Sequence, residues 1–372
     1  MTSRDNRLSI ASHQSFVFWI LLIVLIGVGV FLSRTLTGNF PLTADEGLYI
    51  NRARLLAAGF EPYSQVYLTF PPIVPILLDI VWSIWPTVNA LRYLFVSAWA
   101  LSVVGIALIG REISQQWQIG IITAFILGFS GQYLRDSQAI IISLPSIMPA
   151  IFAVWLALLY QRNGHTGALI GSGVATSMSL WIKFLMPFLP IFILGMVLAR
   201  HVTALQEIPQ TLQSKQLRQT LLRTIFLWGI GTIILPLLTI TFWGNADFLE
   251  STFLQRFSAR DAYQGAEDDY WAPRLKRLNE YIADHRVLIG LAILGLTSAF
   301  YARNRGRWVV LIWLGFALAM LTYQTPVRTK HFVLLSAPLA LGASFLFTFL
   351  MKSYSKRALG IGLLSLALLL FL

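Results

Sequence analysis

PPIVPILLDIVWSIW, residues 71–85, is the stretch on which the organisation of the whole chain turns. It is apolar like a membrane crossing, but it is only about fifteen residues long, with Pro71, Pro72 and Pro75 at its head and Asp79 inside it. A crossing needs roughly 20 apolar residues, and a proline inside a helix removes a backbone hydrogen bond. Charge decides between the two readings. If 71–85 lies in the interface, the pieces 1–15, 111–116, 161–166, 200–223, 303–307 and 352–357 share one side. Of the chain's 28 Lys and Arg and 16 Asp and Glu, those pieces hold 14 and 3, leaving 14 and 13 on the other side. If 71–85 crossed, the short basic loops RNRGR (303–307) and KSYSKR (352–357) would lie outside, against the positive-inside rule. The segment therefore reads as interfacial, with the N-terminus cytoplasmic.

Outward from that segment, apolar runs recur at 16–32, 93–110, 117–134, 140–160, 167–182, 184–199, 224–243, 287–302, 308–323, 332–351 and 358–372. The fold class expected is all-α: a polytopic transmembrane protein of about eleven spans, with amphipathic interfacial helices in the first external loop. A composition of 56% hydrophobic and 12% charged residues excludes ordinary soluble and disordered chains. The net charge of +12 needs no nucleic acid, since Lys and Arg at span ends orient the chain and meet anionic headgroups. Cysteine is absent and the five histidines are scattered, so thiolate chemistry and a histidine zinc site are not expected. Arg4 and Arg7 precede the run 16–32 as in a signal peptide, but the run is long and lacks a cleavage site, so it reads as an uncleaved anchor. The chain is read as one domain over 1–372, with external loops at 34–92 and 244–286; the apolar ending LLSLALLLFL suggests that it continues further.

Acids collect in the external loops, where any chemistry is expected. In TADEGLYINRARLLAAGF (43–60), Thr43 and Glu46 form a capping box and Gly59 is a natural terminator, so 44–58 should be helical. Asp45, Tyr49 and Arg52 then share a face. Both acids could simply favour a helix start; an interfacial Pro-Pro segment downstream favours a role for Asp45, while Glu46 stays evenly balanced. Arg135 and Asp136 in the short loop 134–139 could be a local ion pair or a second carboxylate of the same site. Lys183, in WIKFLMPFLP, and Arg328 and Lys330, in TPVRTKHF, could anchor the interface or contact a lipid phosphate. Transfer of a sugar from a phosphate-linked lipid needs one carboxylate to take the acceptor's proton and cations for the departing phosphate. In the second large loop, Glu267, Asp268 and Asp269 could hold a divalent cation but read first as solvated acids. Tyr263, Tyr270 and Trp271 read as interfacial aromatics or a sugar platform, and 274–283 as a basic surface helix.

The acidic pair in TADEGLYINRARLLAAGFEPY, the segment YLTFPPIVPILLD and the later RDSQ resemble the GT-C superfamily of membrane glycosyltransferases. Within it, the chain looks most like the protein O-mannosyltransferases (dolichyl-phosphate-mannose-protein mannosyltransferases) and lipid A aminoarabinose transferases. The order of elements matches over most of the chain, and the specific motif over about 45–80. The resemblance implies a polyprenyl-phosphate sugar donor and inverting transfer on the extracytoplasmic side of the plasma membrane. It implies Asp45 as general base, Glu46 and Asp136 as supporting acids, Lys183 as a phosphate contact, and a lipid, glycan or protein acceptor. Two departures stand out. The aminoarabinose enzymes usually carry a lysine before the proline pair, where this chain has Phe70. Nothing in these residues corresponds to the further lumenal domain of the protein O-mannosyltransferases. A lipid-linked sugar flippase or transporter is the rival reading, kept open by Pro145, Pro149, Pro187, Pro190 and Pro236 within spans.

Overall fold

The computed structural model describes residues 3–37, 41–205, 210–244, 246–254, 271–324 and 327–353. These residues form helices and connecting turns, with no strand among them. In chain order the helices are α1 (Ser3–Thr37), α2 (Ala44–Ala57), α3 (Ile73–Ile84), α4 (Val88–Ser114), α5 (Trp117–Gly128), α6 (Gly131–Ser137), α7 (Ser143–Asn163) and α8 (Thr166–Ile182). They continue with α9 (Leu189–Leu205), α10 (Gln210–Trp243), α11 (Ala246–Leu249), α12 (Ala272–Asp284), α13 (Arg286–Tyr301), α14 (Gly306–Tyr323) and α15 (Ser336–Ser353). A π-helical turn, Glu250–Leu254, follows α11, and a 3-10 turn, Thr329–Leu335, leads into α15.

Each of the first ten apolar runs falls within a helix or contains most of one, and 358–372 lies outside the described residues. Among the described residues, six helices are long and apolar enough to cross a membrane, or seven if the pair α12–α13, bent by 84°, counts as one span. The 117–134 run departs from expectation: α5 stops at Gly128 after twelve residues, and α6 follows as a separate turn. At that end the Trp99 indole N–H, from α4, takes the Gly128 carbonyl at 3.0 Å and so satisfies an acceptor left without a helical partner. The 184–199 run becomes helical only from Leu189, since Pro187 and Pro190 fall at its head.

Burial separates helices that border lipid from those that carry the core. Only 17% of the α10 window and 22% of the α1 window are buried, against 83% for Thr329–Met351, so the last of these lies at the centre. Around it α4, α5, α7 and α13 pack through Trp99, Ile106, Ala124, Val154 and Ala292, all nearly inaccessible. Helices α8 and α10 meet backbone to backbone. A Cβ on Gly173 would stand 2.3 Å from the Trp228 carbonyl oxygen, and one on Gly231 at 2.3 Å from that of Ile170. Small residues permit such approach where lipid gives no water-driven force between helices.

The first loop folds as its sequence requires. Helix α2 opens on Thr43, whose Oγ1 accepts from the Glu46 backbone N–H at 3.2 Å while Glu46 Oε2 accepts from the Thr43 N–H at 3.1 Å. It ends before Gly59, whose φ of +88° suits glycine. Helix α3 has twelve residues, about 18 Å of rise and short of a bilayer core. It buries Val74, Pro75 and Leu78 against α2 and α4 and leaves Ile80 and Ile84 exposed.

Candidate active site

Asp45 and Glu46 are adjacent on α2, and a helix turns about 100° per residue, so they face different surroundings. Glu46 is fully buried. Its Oε1 accepts from Arg92 Nε at 2.9 Å and from the Ile140 backbone N–H at 3.2 Å, and its Oε2 from Arg92 Nη2 at 3.2 Å. One carboxylate thus ties α2 to α4 and to the segment after α6, with both oxygens engaged. Arg92 was not singled out from the sequence. The signal for it was a lone arginine just inside an apolar helix capped by Thr87, a position where a buried cation demands a buried acid.

Asp45 remains 36% exposed. Its Oδ2 accepts from Lys330 Nζ, and Arg328 Nη1 stands 3.9 Å from Oδ1. Burial opposes ionisation of Asp45, but the Lys330 hydrogen bond and the charges of Lys330, Arg328 and Lys183 outweigh it and hold the carboxyl below its ordinary value. Lys330 comes from the 3-10 turn ahead of α15. That turn is held by Gln132 of α6, whose Nε2 donates to the Thr329 carbonyl at 3.0 Å, and by His331 Nδ1, which accepts from the Arg328 N–H at 3.3 Å.

Lys183 forms the C-cap of α8, is buried, and donates to Ser143 Oγ at 2.8 Å, so its ammonium faces inward near Asp45 and does not snorkel. Asp136 belongs to the buried face of α6, where an exposed loop was expected. Burial pushes its carboxyl up to about 7, against the lowering influences of Arg135, Gln132 and Lys330. Its Oδ2 has no hydrogen-bond partner, and the exposed Arg135 lies at 4.0 Å from Oδ1. Tyr49 and Arg52 line the buried side of α2 beyond Asp45. The Arg52 guanidinium lies 5.9 Å from the Tyr49 ring centre and 5.5 Å from that of Phe70, with Nη1 buried and unpartnered.

The structure thus brings Asp45, Lys330, Arg328, Lys183 and Asp136 into one electrostatic neighbourhood and sets Glu46 behind it. Helix α12 realises the expected surface helix, burying only Arg274 and Tyr281. Glu267, Asp268, Asp269, Tyr263 and Tyr270 lie outside the described residues; among the described ones, no three His, Asp or Glu converge on a common point.

No family model and no curated protein matches this chain. Solved structures do. The ArnT structure from Cupriavidus metallidurans, bound to undecaprenyl phosphate, superposes with a TM-score of 0.66 at 14% identity, over 96% of this chain and 64% of that one. The archaeal oligosaccharyltransferase AglB from Archaeoglobus fulgidus, with an inhibitory peptide and a dolichol-phosphate, gives 0.60 at 12% identity, over 95% and 54%. The Archaeoglobus fulgidus oligosaccharyltransferase in the apo form gives 0.61 at 14% identity, over 94% and 52%. The chain therefore spans about half to two thirds of the length of these relatives. Nearly all of it aligns, and what these likenesses show is a shared polytopic helical fold.

Proposed function

We propose that the protein is an integral membrane glycosyltransferase that moves a sugar from a polyprenyl-phosphate donor to an acceptor on the extracytoplasmic face of the plasma membrane. The observation that carries this is Asp45, half exposed beside Lys330 and Arg328 and within the field of Lys183, on a fold whose solved neighbours hold undecaprenyl phosphate and dolichol-phosphate. The end of the bundle bearing Arg111, Arg162 and Arg303 to Arg307 then faces the cytoplasm.

In this reading the donor phosphate binds to Lys330, Arg328 and Lys183. The acceptor's hydroxyl or amine attacks the anomeric carbon from the face opposite the phosphate. The new bond forms as the bond from that carbon to phosphate oxygen breaks, the electron pair leaves with the phosphate, and configuration inverts. Asp45 takes the acceptor's proton. With Lys330 bound to it, Asp45 is a weak base; phosphate competes for Lys330 and restores basicity only when donor is present. Asp136 supports the site from behind Lys330, and Glu46 acts through position, holding α2 against α4. Tyr49 and Arg52 wall the sugar or acceptor side. A bound divalent cation is not required by these roles.

The test is incubation of the lipid-reconstituted protein with radiolabelled polyprenyl-phosphate sugars, comparing wild type, Asp45→Asn and Lys183→Ala. Donor turnover that disappears in Asp45→Asn is the expected result. Donor binding without turnover, indifferent to Asp45→Asn, would replace transfer by lipid-linked sugar flipping.

A further inference from the structure

Arg92 and Arg111 both belong to α4, nineteen residues and so about 28 Å apart, which puts Arg111 at the end of the bundle away from Asp45. There the chain leaves α4 through Gln115, at φ +57°, and enters α5 at Trp117. A cavity of about 440 Å³ opens at this corner, lined among others by Arg111, Trp117 and the glutamines Gln14, Gln115, Gln116 and Gln118. A second, of about 320 Å³, shares Arg111 and Gln115.

The cations of this end differ in what holds them. Arg162 is paired with Glu112 at 2.8 Å. Arg200 donates to the Tyr160 and Gln161 carbonyls at 2.7 and 2.8 Å, and Arg307 to those of Ala299 and Phe300 at 3.2 and 3.3 Å. Each closes a helix end or an ion pair. Arg111 does neither: among the described residues no carboxylate lies within salt-bridge distance of it, and its guanidinium rests over the Phe18 ring at 5.1 Å. Stacking engages the plane of a guanidinium and leaves its N–H edge for an anion. The glutamine amides around it offer donors and acceptors together, and Gln116 Oε1 is buried without a donor. Beside the cavity, on the flank of α1 that carries Gln14, Leu21, Val24 and Val28 turn outward, an apolar track leading along the membrane.

We propose that this corner binds the headgroup of an anionic glycerophospholipid, with its phosphate on Arg111, its headgroup hydroxyls among the glutamine amides, and its acyl chains along the exposed face of α1. Phosphate favours Arg111 by a charge-assisted contact. Hydroxyl-bearing headgroups are preferred over choline, which has no donor for the amide oxygens. The site is separate from the one around Asp45, so it stands or falls independently of the transferase reading.

The test is native mass spectrometry of the full chain with phosphatidylglycerol, phosphatidylcholine or inorganic phosphate, alongside the thermal shift each produces. Phosphatidylglycerol should be retained and should raise Tm, phosphatidylcholine should bind more weakly, and inorganic phosphate should leave Tm unchanged. Arg111→Gln should weaken phosphatidylglycerol binding about tenfold. Equal retention of the two lipids, or wild-type affinity in Arg111→Gln, would overturn the site. A Tm shift from inorganic phosphate matching that from phosphatidylglycerol would overturn the lipid assignment. Should Arg111→Gln fail to fold, Gln118→Leu, at the rim of the cavity, should still reduce the preference for phosphatidylglycerol over phosphatidylcholine; an unchanged preference refutes the proposal.

Discussion

Asp45 and Glu46 are neighbours in sequence and opposites in environment. Glu46 is sealed, with both oxygens engaged by Arg92 and backbone N–H groups. Asp45 is accessible, and its partners are lysine and arginine side chains at the head of the turn leading into α15, cations that a better anion could take away. A carboxylate locked into a buried network stabilises one geometry; a carboxylate held by displaceable cations can change its proton affinity when a ligand arrives. The same residue class one position apart thus divides a fixed buried tie from an exchangeable, accessible one.

The sharpest way to break that division is to remove the charge of Asp45 and, separately, the buried partner of Glu46. Asp45→Asn should lower sugar transfer by about 10²-fold or more, with Tm nearly unchanged, as measured by donor turnover and thermal denaturation in lipid. Arg92→Ala should do the reverse. It leaves Glu46 buried and uncompensated, so stability falls by about 3–5 kcal/mol, and activity falls only through the lost fold; the double change Glu46→Met with Arg92→Leu should recover much of the Tm. If Arg92→Ala instead lowered turnover at unchanged Tm, the two acids would not be separable.

Lys330→Ala sharpens the comparison from the cation side. Donor affinity should fall about tenfold. Because Lys330 holds the Asp45 carboxyl below its ordinary value, its removal should move the acid limb of the pH–activity profile upward. Asp136 gives a smaller, opposite signature. Its folded-state value near 7 exceeds the ordinary carboxylate value, so folding favours its protonated form and stability falls as pH rises from about 4 to about 7. Asp136→Asn should therefore raise Tm by a few degrees at pH 8 and leave it unchanged at pH 4, a difference read by paired melts.

How far all this was legible depends on distance along the chain. The α2 caps lie within three residues of each other, and the apolar runs announce their helices, so both could be read from the sequence. The proline content and charge of 71–85 likewise anticipated the short α3. The pairing of Lys330 with Asp45 joins residues 285 apart, and that of Arg92 with Glu46 residues 46 apart; periodicity carries no trace of either. Position in the external loops and at outer span ends identified Asp45, Lys183, Arg328 and Lys330 as residues of interest, and only the fold could assemble them. The early end of α5 was equally hidden: the group that satisfies its last carbonyl comes from a tryptophan 29 residues away. Asp136 was legible as an acid at a span end but not as a buried one, since 134–139 reads as a loop, whereas Arg135 to Ser137 complete α6.

The crossing of α8 and α10 bears on how this sequence can drift. At Gly173 and Gly231 each helix presents bare main chain to the other's carbonyl oxygen. A side chain can be trimmed to admit a larger neighbour, but a carbonyl cannot, so no second substitution restores the fit once either glycine is lost. Descendants of this chain are expected to exchange the residues around the crossing freely and to keep those two positions empty, a fixed point on an otherwise permissive lipid-facing surface.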